Sequence, residues 1–263
     1  MNRPTLLVTR PQPQADAWVV RLSALGVDAA ALPLLAIAGA PDPAALGQAW
    51  VRLSTQQLVM FVSPNAVEQF FAHRPAGMAS AAWPAHCLAG STGPGTASAL
   101  VAAGVPLAAI ISPPSEAGQF DAEALWQVLR PSRDWAGARV LVVRGEGGRD
   151  WLADSLRAVG ATLNFVAAYR RVQPEWCLAE HALLARSLAT PHDHVWLFSS
   201  SQAVRHLRQM APDANWSDSA AIATHPRIAE AVAKNGFARV QLAPPTPEAA
   251  ASALTRSIQS WPP

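Results

Sequence analysis

The chain has 263 residues, of which 20 are basic and 18 acidic, giving a formal net charge of +2 with histidine neutral. Hydrophobic residues make up 51% and charged residues only 14%, against ~25% charged in an ordinary soluble domain, so a core for one large or two smaller domains is available and general disorder is excluded. Lys234 is the only lysine and no basic block occurs, which argues against non-specific nucleic-acid binding. Arginine supplies the other basic side chains, and its planar fork suits carboxylate or phosphate.

In chain order, the opening Met-Asn-Arg-Pro-Thr-Leu-Leu-Val-Thr-Arg-Pro has too short an apolar run for a secretory leader. A strand over Thr5–Thr9 leads to a helix over Ala15–Leu25. A strand over Leu58–Val62 leads to a helix over Asn65–Phe71, and a further helix covers Thr96–Ala103. The apolar stretch Ala97–Ile111 is cut by Gly104 and Pro106 and is shorter than the ~20 residues of a membrane span, so no membrane association is expected. A helix over Ala122–Leu129, a strand over Arg139–Val143, a helix over Trp151–Val159 and a strand over Leu163–Ala168 follow. The last third alternates helices Leu178–Leu188, Ala203–Met210, Arg227–Lys234 and Pro247–Ile258 with strands Val195–Phe198, Ala220–Ala223 and Arg239–Leu242. This βαβα alternation predicts an α/β protein with parallel sheets covered by helices on both faces. The Val, Leu and Ile density of the strands agrees, because such strands are buried on both sides. Cys87 and Cys177 form no CxxC pair and read as buried free thiols in a reducing, cytoplasmic setting.

The chain repeats itself. Phe61-Val-Ser63-Pro-Asn65-Ala66-Val67 matches Phe198-Ser-Ser200-Ser-Gln202-Ala203-Val204. Thr92-Gly-Pro94, closing at Gly104, matches Thr224-His-Pro226, closing at Gly236. Leu25-Gly26 matches Val159-Gly160, and Pro113 with Glu116 matches Pro245 with Glu248. These ordered matches at near-constant spacing indicate a domain duplication and not a short-period solenoid. Two α/β lobes with a cleft between them are expected.

Each repeat sets a polar or glycine-rich turn after a strand and before a helix. In a parallel sheet such turns lie at the carboxyl ends of the strands, where ligands bind. Helix N-termini there present unpaired N–H groups to anions. The candidates are Ser63-Pro64-Asn65, Gly93-Pro94-Gly95-Thr96, Gly145-Glu146-Gly147-Gly148-Arg149, Ser199-Ser200-Ser201 and Thr224-His225-Pro226. Taken singly, each also reads as a plain helix cap, as Ser63 before Pro64 does. Gly145-x-Gly147-Gly148 starts like a dinucleotide fingerprint, but Asp150 stands where the third glycine belongs. No P-loop and no G-x-S-x-G elbow occurs, so nucleotide binding and a hydrolase triad are unsupported. His192-Asp193-His194 lacks further ligands and reads as a solvated turn, so no metal site is expected. Tyr169 is the only tyrosine. Ending the strand Leu163–Ala168, it reads either as an aromatic with a wet hydroxyl or as a phenol at a cleft edge able to give a proton.

The chain resembles the uroporphyrinogen-III synthase family. The likeness rests on Leu-Val-Thr9-Arg10-Pro11, Leu25-Gly26, Leu32-Pro33-Leu34, Phe61-x-Ser63-Pro64-Asn65-Ala66-Val67 and Gly93-Pro94-Gly95-Thr96-Ala97. It continues through Arg144-Gly145-Glu146-Gly147-Gly148-Arg149, Tyr169-Arg170-Arg171-Val172, Phe198-Ser199-Ser200 and Ala223-Thr224-His225-Pro226-Arg227-Ile228-Ala229. The resemblance implies two lobes joined by a two-stranded β-ladder. Lobe 1 would be residues 1–35 and 172–263 and lobe 2 residues 38–168, with linker strands near 33–38 and 169–174. It implies conversion of hydroxymethylbilane to uroporphyrinogen III with loss of water and inversion of the last pyrrole ring. It further implies no cofactor or metal, a monomer, and a transient hand-over of substrate from the preceding pathway enzyme. Arg10, Ser63, Asn65, Gly95, Thr96, Arg144, Arg149, Ser199, Ser200, Thr224 and Arg227 become the expected binders of the substrate's acetate and propionate groups, and Tyr169 the expected proton donor. The two lobes' turns differ, since Gly95-Thr96 corresponds to Arg227-Ile228 and Pro64-Asn65 to Ser201-Gln202. A two-lobed carboxylate-binding or regulatory module without catalysis is the alternative, because hinged α/β lobes also serve as receptors.

Overall fold

A computed structural model describes residues 3–78, 81–114, 122–147 and 151–260. Glu116 of the repeat, and Gly148, Arg149 and Asp150 of the glycine-rich turn, lie outside the described residues. The chain divides into two compact units, Met1–Ala36 with Val172–Pro263, and Ile37–Arg171.

The elements run β1 (Thr5–Val8), α1 (Gln14–Ala24), β2 (Ala29–Ala31), β3 (Ala36–Ala38), α2 (Pro43–Val51), β4 (Leu58–Phe61), α3 (Pro64–Ala72), β5 (Leu88–Ser91) and α4 (Pro94–Ala102). They continue with β6 (Ile110–Ile111), α5 (Ala122–Leu129), β7 (Arg139–Gly145), α6 (Trp151–Ala158) and β8 (Thr162–Val172). The chain finishes with α7 (Leu178–Ala189), β9 (His194–Phe198), α8 (Ser201–Met210), β10 (Ala220–Ala223), α9 (Pro226–Lys234), β11 (Arg239–Leu242) and α10 (Pro247–Ser260). Among the described residues, no helix is long and apolar enough to cross a membrane.

The first unit holds a sheet ordered β11-β10-β9-β1-β2, and the second a sheet ordered β3-β8-β7-β4-β5-β6. The strands from β11 to β2 pair in parallel, as do those from β8 to β6. The duplication is visible in these orders: β9, β10 and β11 take the places of β4, β5 and β6, while β1 and β2 take those of β7 and β8. Matched residues also do matched work. Gly26 and Gly160 both take a left-handed backbone (φ 74° and 86°) just after α1 and α6. There the next N–H closes on a carbonyl one turn back, Val27 on Leu22 and Ala161 on Leu156, which glycine permits without steric cost.

Side-chain alternation along each strand feeds two cores per unit. Leu7, Trp196, Phe198, Ala221 and Ala223 face α7, α8 and α9. Leu6, Val8, Val195, Leu197 and Ile222 face α1 and α10. In the second unit Val59, Phe61, Leu141 and Val143 meet α2, α3 and α4, and Leu58, Met60, Val140 and Val142 meet α5 and α6. Burial on both faces is why these strands read as unbroken apolar runs. Two expectations are corrected. Cys177 is exposed, at the N-cap of α7, and only Cys87 is buried. His194 is not part of a solvated turn: it is buried at the head of β9, its Nδ1 3.0 Å from the Thr190 carbonyl.

Candidate active site

In the second unit the register between β7 and β8 slips. Arg144 is opposite Ala167, but Gly145 is opposite Tyr169, leaving Ala168 as an extra residue on β8. Val166 and Ala168 pack on the face covered by α2, α3 and α4. Regular alternation would send residue 169 to the other face. The bulge turns Tyr169 back, and it joins the same buried cluster. The hydroxyl of Tyr169 is neither wet nor at an open edge, since the side chain is fully buried and bonded to protein partners. The phenol oxygen is 3.0 Å from Ser63 Oγ and accepts from Arg171 Nη2 at 2.9 Å.

Ser63 is the N-cap of α3. Its Oγ accepts from the Ala66 N–H at 3.2 Å, and Pro64 follows at the first helical position. The plain capping role and the tyrosine contact therefore coexist on one hydroxyl, and Ser63 is only half-buried. Asn65 follows at the second position of α3. Because β8, β7, β4 and β5 are neighbours and parallel, Tyr169, Gly145, Ser63 and the Gly93 turn lie along one carboxyl rim. In the first turn of α4, Thr96 is buried and its N–H bonds the Gly93 carbonyl at 3.1 Å. Pro94 has no N–H, so Gly95 supplies the N–H of that turn without an acceptor among the described residues. Arg144 is on the opposite face of β7 from the Tyr169 cluster, with its guanidinium 4.6 Å from the Phe165 ring centroid. Arg149 lies outside the described residues.

The first unit gathers a corresponding rim from β10, β9 and β1. Thr9 Oγ1 donates to the Leu197 carbonyl at 2.7 Å. Ser200 caps α8 through the Gln202 N–H at 3.1 Å. The half-buried Ser199 and Thr224 hydroxyls have no partner among the described residues. The Arg227 N–H is capped by His225 Nδ1 at 3.1 Å, leaving the Arg227 side chain exposed. Arg10 stands just past β1, half-buried, 4.9 Å from the Trp18 ring centroid and donating to Gln14 Oε1 at 3.2 Å. Among the described residues its buried Nε has no partner, and desolvation holds the guanidinium below the ordinary arginine pKa. Sequence reasoning gave Arg171 no site role, and named Gly145 and His225 only as members of candidate turns. Arg171 had a signal, since residues two apart on a strand share a face. Among the described residues, no group of three or more His, Cys, Asp or Glu side chains could hold a metal ion.

The anatomy is that of a duplicated two-unit α/β protein whose strand-to-helix turns carry N–H and hydroxyl donors. The family model described as uroporphyrinogen-III synthase HemD matches residues 16–252, and the chain belongs to the uroporphyrinogen-III synthase family. The uroporphyrinogen-III synthase of Salmonella typhimurium is 33% identical over 184 residues, covering 68% of this chain and 70% of that protein. The Escherichia coli uroporphyrinogen-III synthase is 31% identical over 179 residues, again covering 68% and 70%. In fold the chain is similar to a crystal structure of a mutant uroporphyrinogen III synthase from the extremely thermophilic bacterium Thermus thermophilus, with a TM-score of 0.60 at 15% identity, covering 98% of this chain and 100% of that one.

Proposed function

We propose that the protein is a uroporphyrinogen-III synthase, a cyclising hydro-lyase. It converts the linear hydroxymethylbilane to uroporphyrinogen III, with loss of water and inversion of the last pyrrole ring. The observation that carries this reading is the family match over residues 16–252, which takes in both units. Every ring of the substrate bears an acetate and a propionate. The backbone N–H of Ser63, with Asn65 and Gly95, on one rim, and Arg10, Ser199, Ser200, Thr224 and Arg227 on the other, are the donors we assign to those carboxylates. Hydrogen bonds to charged groups contribute about 1.5–3 kcal/mol each, so a few of them anchor a flexible polyanion.

The bond-breaking step needs little help. Once the hydroxyl takes a proton, the pyrrole nitrogen expels water and an azafulvenium cation forms. Unassisted closure gives the non-inverted isomer. The protein's main task is therefore orientation, folding the bilane so that the substituted carbon of the last ring attacks first and forms a spiro intermediate. The proton for the leaving hydroxyl comes from the Tyr169–Ser63 pair. We further propose a monomer working in the cytoplasm, a setting supported by the two free thiols. A substrate that closes by itself favours transient hand-over from the enzyme that makes it.

The test mixes the protein with freshly made hydroxymethylbilane and separates the product isomers. A predominance of the inverted isomer is expected. The non-inverted isomer alone would favour a carboxylate-binding module without catalysis.

A further inference from the structure

We propose that Ser63, and not Tyr169, hands the proton to the leaving hydroxyl. Tyr169 stands behind it as the proton's source, and Arg171 fixes the direction of transfer. This rests on the synthase reading above and specifies its acid.

Burial sets the first constraint. Tyr169 is 0% exposed, so its phenol cannot touch a substrate, whereas the half-buried Ser63 stands at the rim with its hydroxyl against the phenol. Proton bookkeeping sets the second. A guanidinium N–H only donates, so the phenol oxygen is the acceptor in the bond from Arg171. The fully buried phenolic proton has no other acceptor among the described residues, so it goes to Ser63 Oγ at 3.0 Å. Ser63 Oγ also accepts from the Ala66 N–H. Both of its lone pairs are thus engaged, and its own proton points away from both donors. The chain has one polarity: Arg171 to Tyr169, Tyr169 to Ser63, Ser63 outward.

The step balances. As the carbon–oxygen bond of the hydroxymethyl group breaks, the Ser63 proton moves to the departing oxygen and water forms. The Tyr169 proton moves to Ser63 Oγ in the same event. The phenolate that remains faces the Arg171 guanidinium, which offsets its charge. Ring closure later releases one proton as the attacked pyrrole regains aromaticity, and that proton returns through Ser63 to Tyr169. No other reactant is required. In this scheme Ser63 is the catalytic residue, while Tyr169 and Arg171 act through it.

The test is a double-mutant cycle on kcat and KM for inverted-isomer formation. Ser63→Ala and Tyr169→Phe should each lower kcat by about 10- to 100-fold, at or below the lower end of the roughly 100- to 10,000-fold range for general acid catalysis, with KM within about twofold. The double variant should be no slower than Ser63→Ala alone. Ser63→Thr, which keeps both cap and hydroxyl, should restore most of kcat and separates the proton role from the cap. Arg171→Lys should retain more kcat than Arg171→Gln. Multiplying losses in the double variant, or an effect of Ser63→Ala confined to KM, would overturn the relay while the synthase reading stood. A wild-type protein yielding only the non-inverted isomer would overturn the reading itself, and the relay with it.

Discussion

Gly145 lies directly against the ring of Tyr169. A Cβ at position 145 would stand 2.8 Å from both Cε2 and Cζ of the tyrosine and 3.2 Å from its oxygen. The ring is fully buried in a cluster that includes Phe61, Val143 and Val166, so it has little room to yield. The β7–β8 bulge sets the two residues opposite each other, and the absence of a side chain at 145 leaves the phenol its place beside Ser63.

Gly145→Ala should therefore displace the phenol. Overpacking a tight site costs roughly 1–3 kcal/mol, so the melting temperature should fall. The sharper expectation is kinetic: kcat should drop to the level of Tyr169→Phe, and adding Tyr169→Phe in the Gly145→Ala background should cost nothing more. Thermal melts and steady-state kinetics on the three variants check this. Undiminished turnover in Gly145→Ala would mean that the ring's placement is irrelevant to the reaction.

Arg10 gives a prediction in which stability and affinity part company. Its buried Nε has no acceptor among the described residues, and desolvation lowers its pKa, so the guanidinium is an incompletely satisfied cation. A buried charge without a counter-charge is costly, and a cation kept in that state is suited to a substrate carboxylate. Arg10→Met preserves much of the packing against Trp18 and removes the charge. The melting temperature should hold or rise. KM should increase by about 10- to 100-fold, the equivalent of one charge-assisted bond. A fall of several degrees with unchanged KM would make Arg10 a structural cation instead.

The strands buried on both faces, such as Leu58–Phe61 and Ala220–Ala223, were legible in the sequence because their apolar runs have no other use. Of those it concealed, β2, β3 and β5 are rich in small residues and β6, Ile110–Ile111, is only two residues long. Ala29–Ala31 has no β-branched side chain, and β5 reads Leu88-Ala-Gly-Ser. At Gly90 in β5 a Cβ would approach Leu58 Cδ1 and Met60 Sδ to 3.2 Å, so tertiary packing and not strand propensity sets that residue. Helix α2 was missed although its markers are present: Asp42 caps the Ala45 N–H at 3.0 Å and Pro43 follows. The site was legible by halves. Ser63 and Tyr169 stand out as a turn serine and a lone tyrosine, but their contact across 106 residues depends on a bulge that no periodicity records. The same alternation that should have pointed to Arg171 also explains why Arg144 turns to Phe165, away from the phenol.

The two cysteines separate by burial, and alkylation should read that directly. Cys87 is fully buried, and desolvation pushes its thiol from an ordinary 9.0 up to about 12. Cys177 is exposed at the start of α7. The thiolate is the reactive species, and a thiol titrating that high is ionised to only about one part in ten thousand at pH 8. Native protein treated with iodoacetamide at pH 8 should take up one label, at Cys177, and denaturant should admit the second at Cys87. The same shift carries a sign for stability. Cys87 holds its proton in the folded state after the unfolded chain has lost it, so its contribution is intact below pH 9 and declines between pH 9 and 12. Peptide mapping by mass spectrometry checks the labelling. Rapid modification of Cys87 without denaturant would mean that β5 opens in the native state and that its thiol is not sealed in the core.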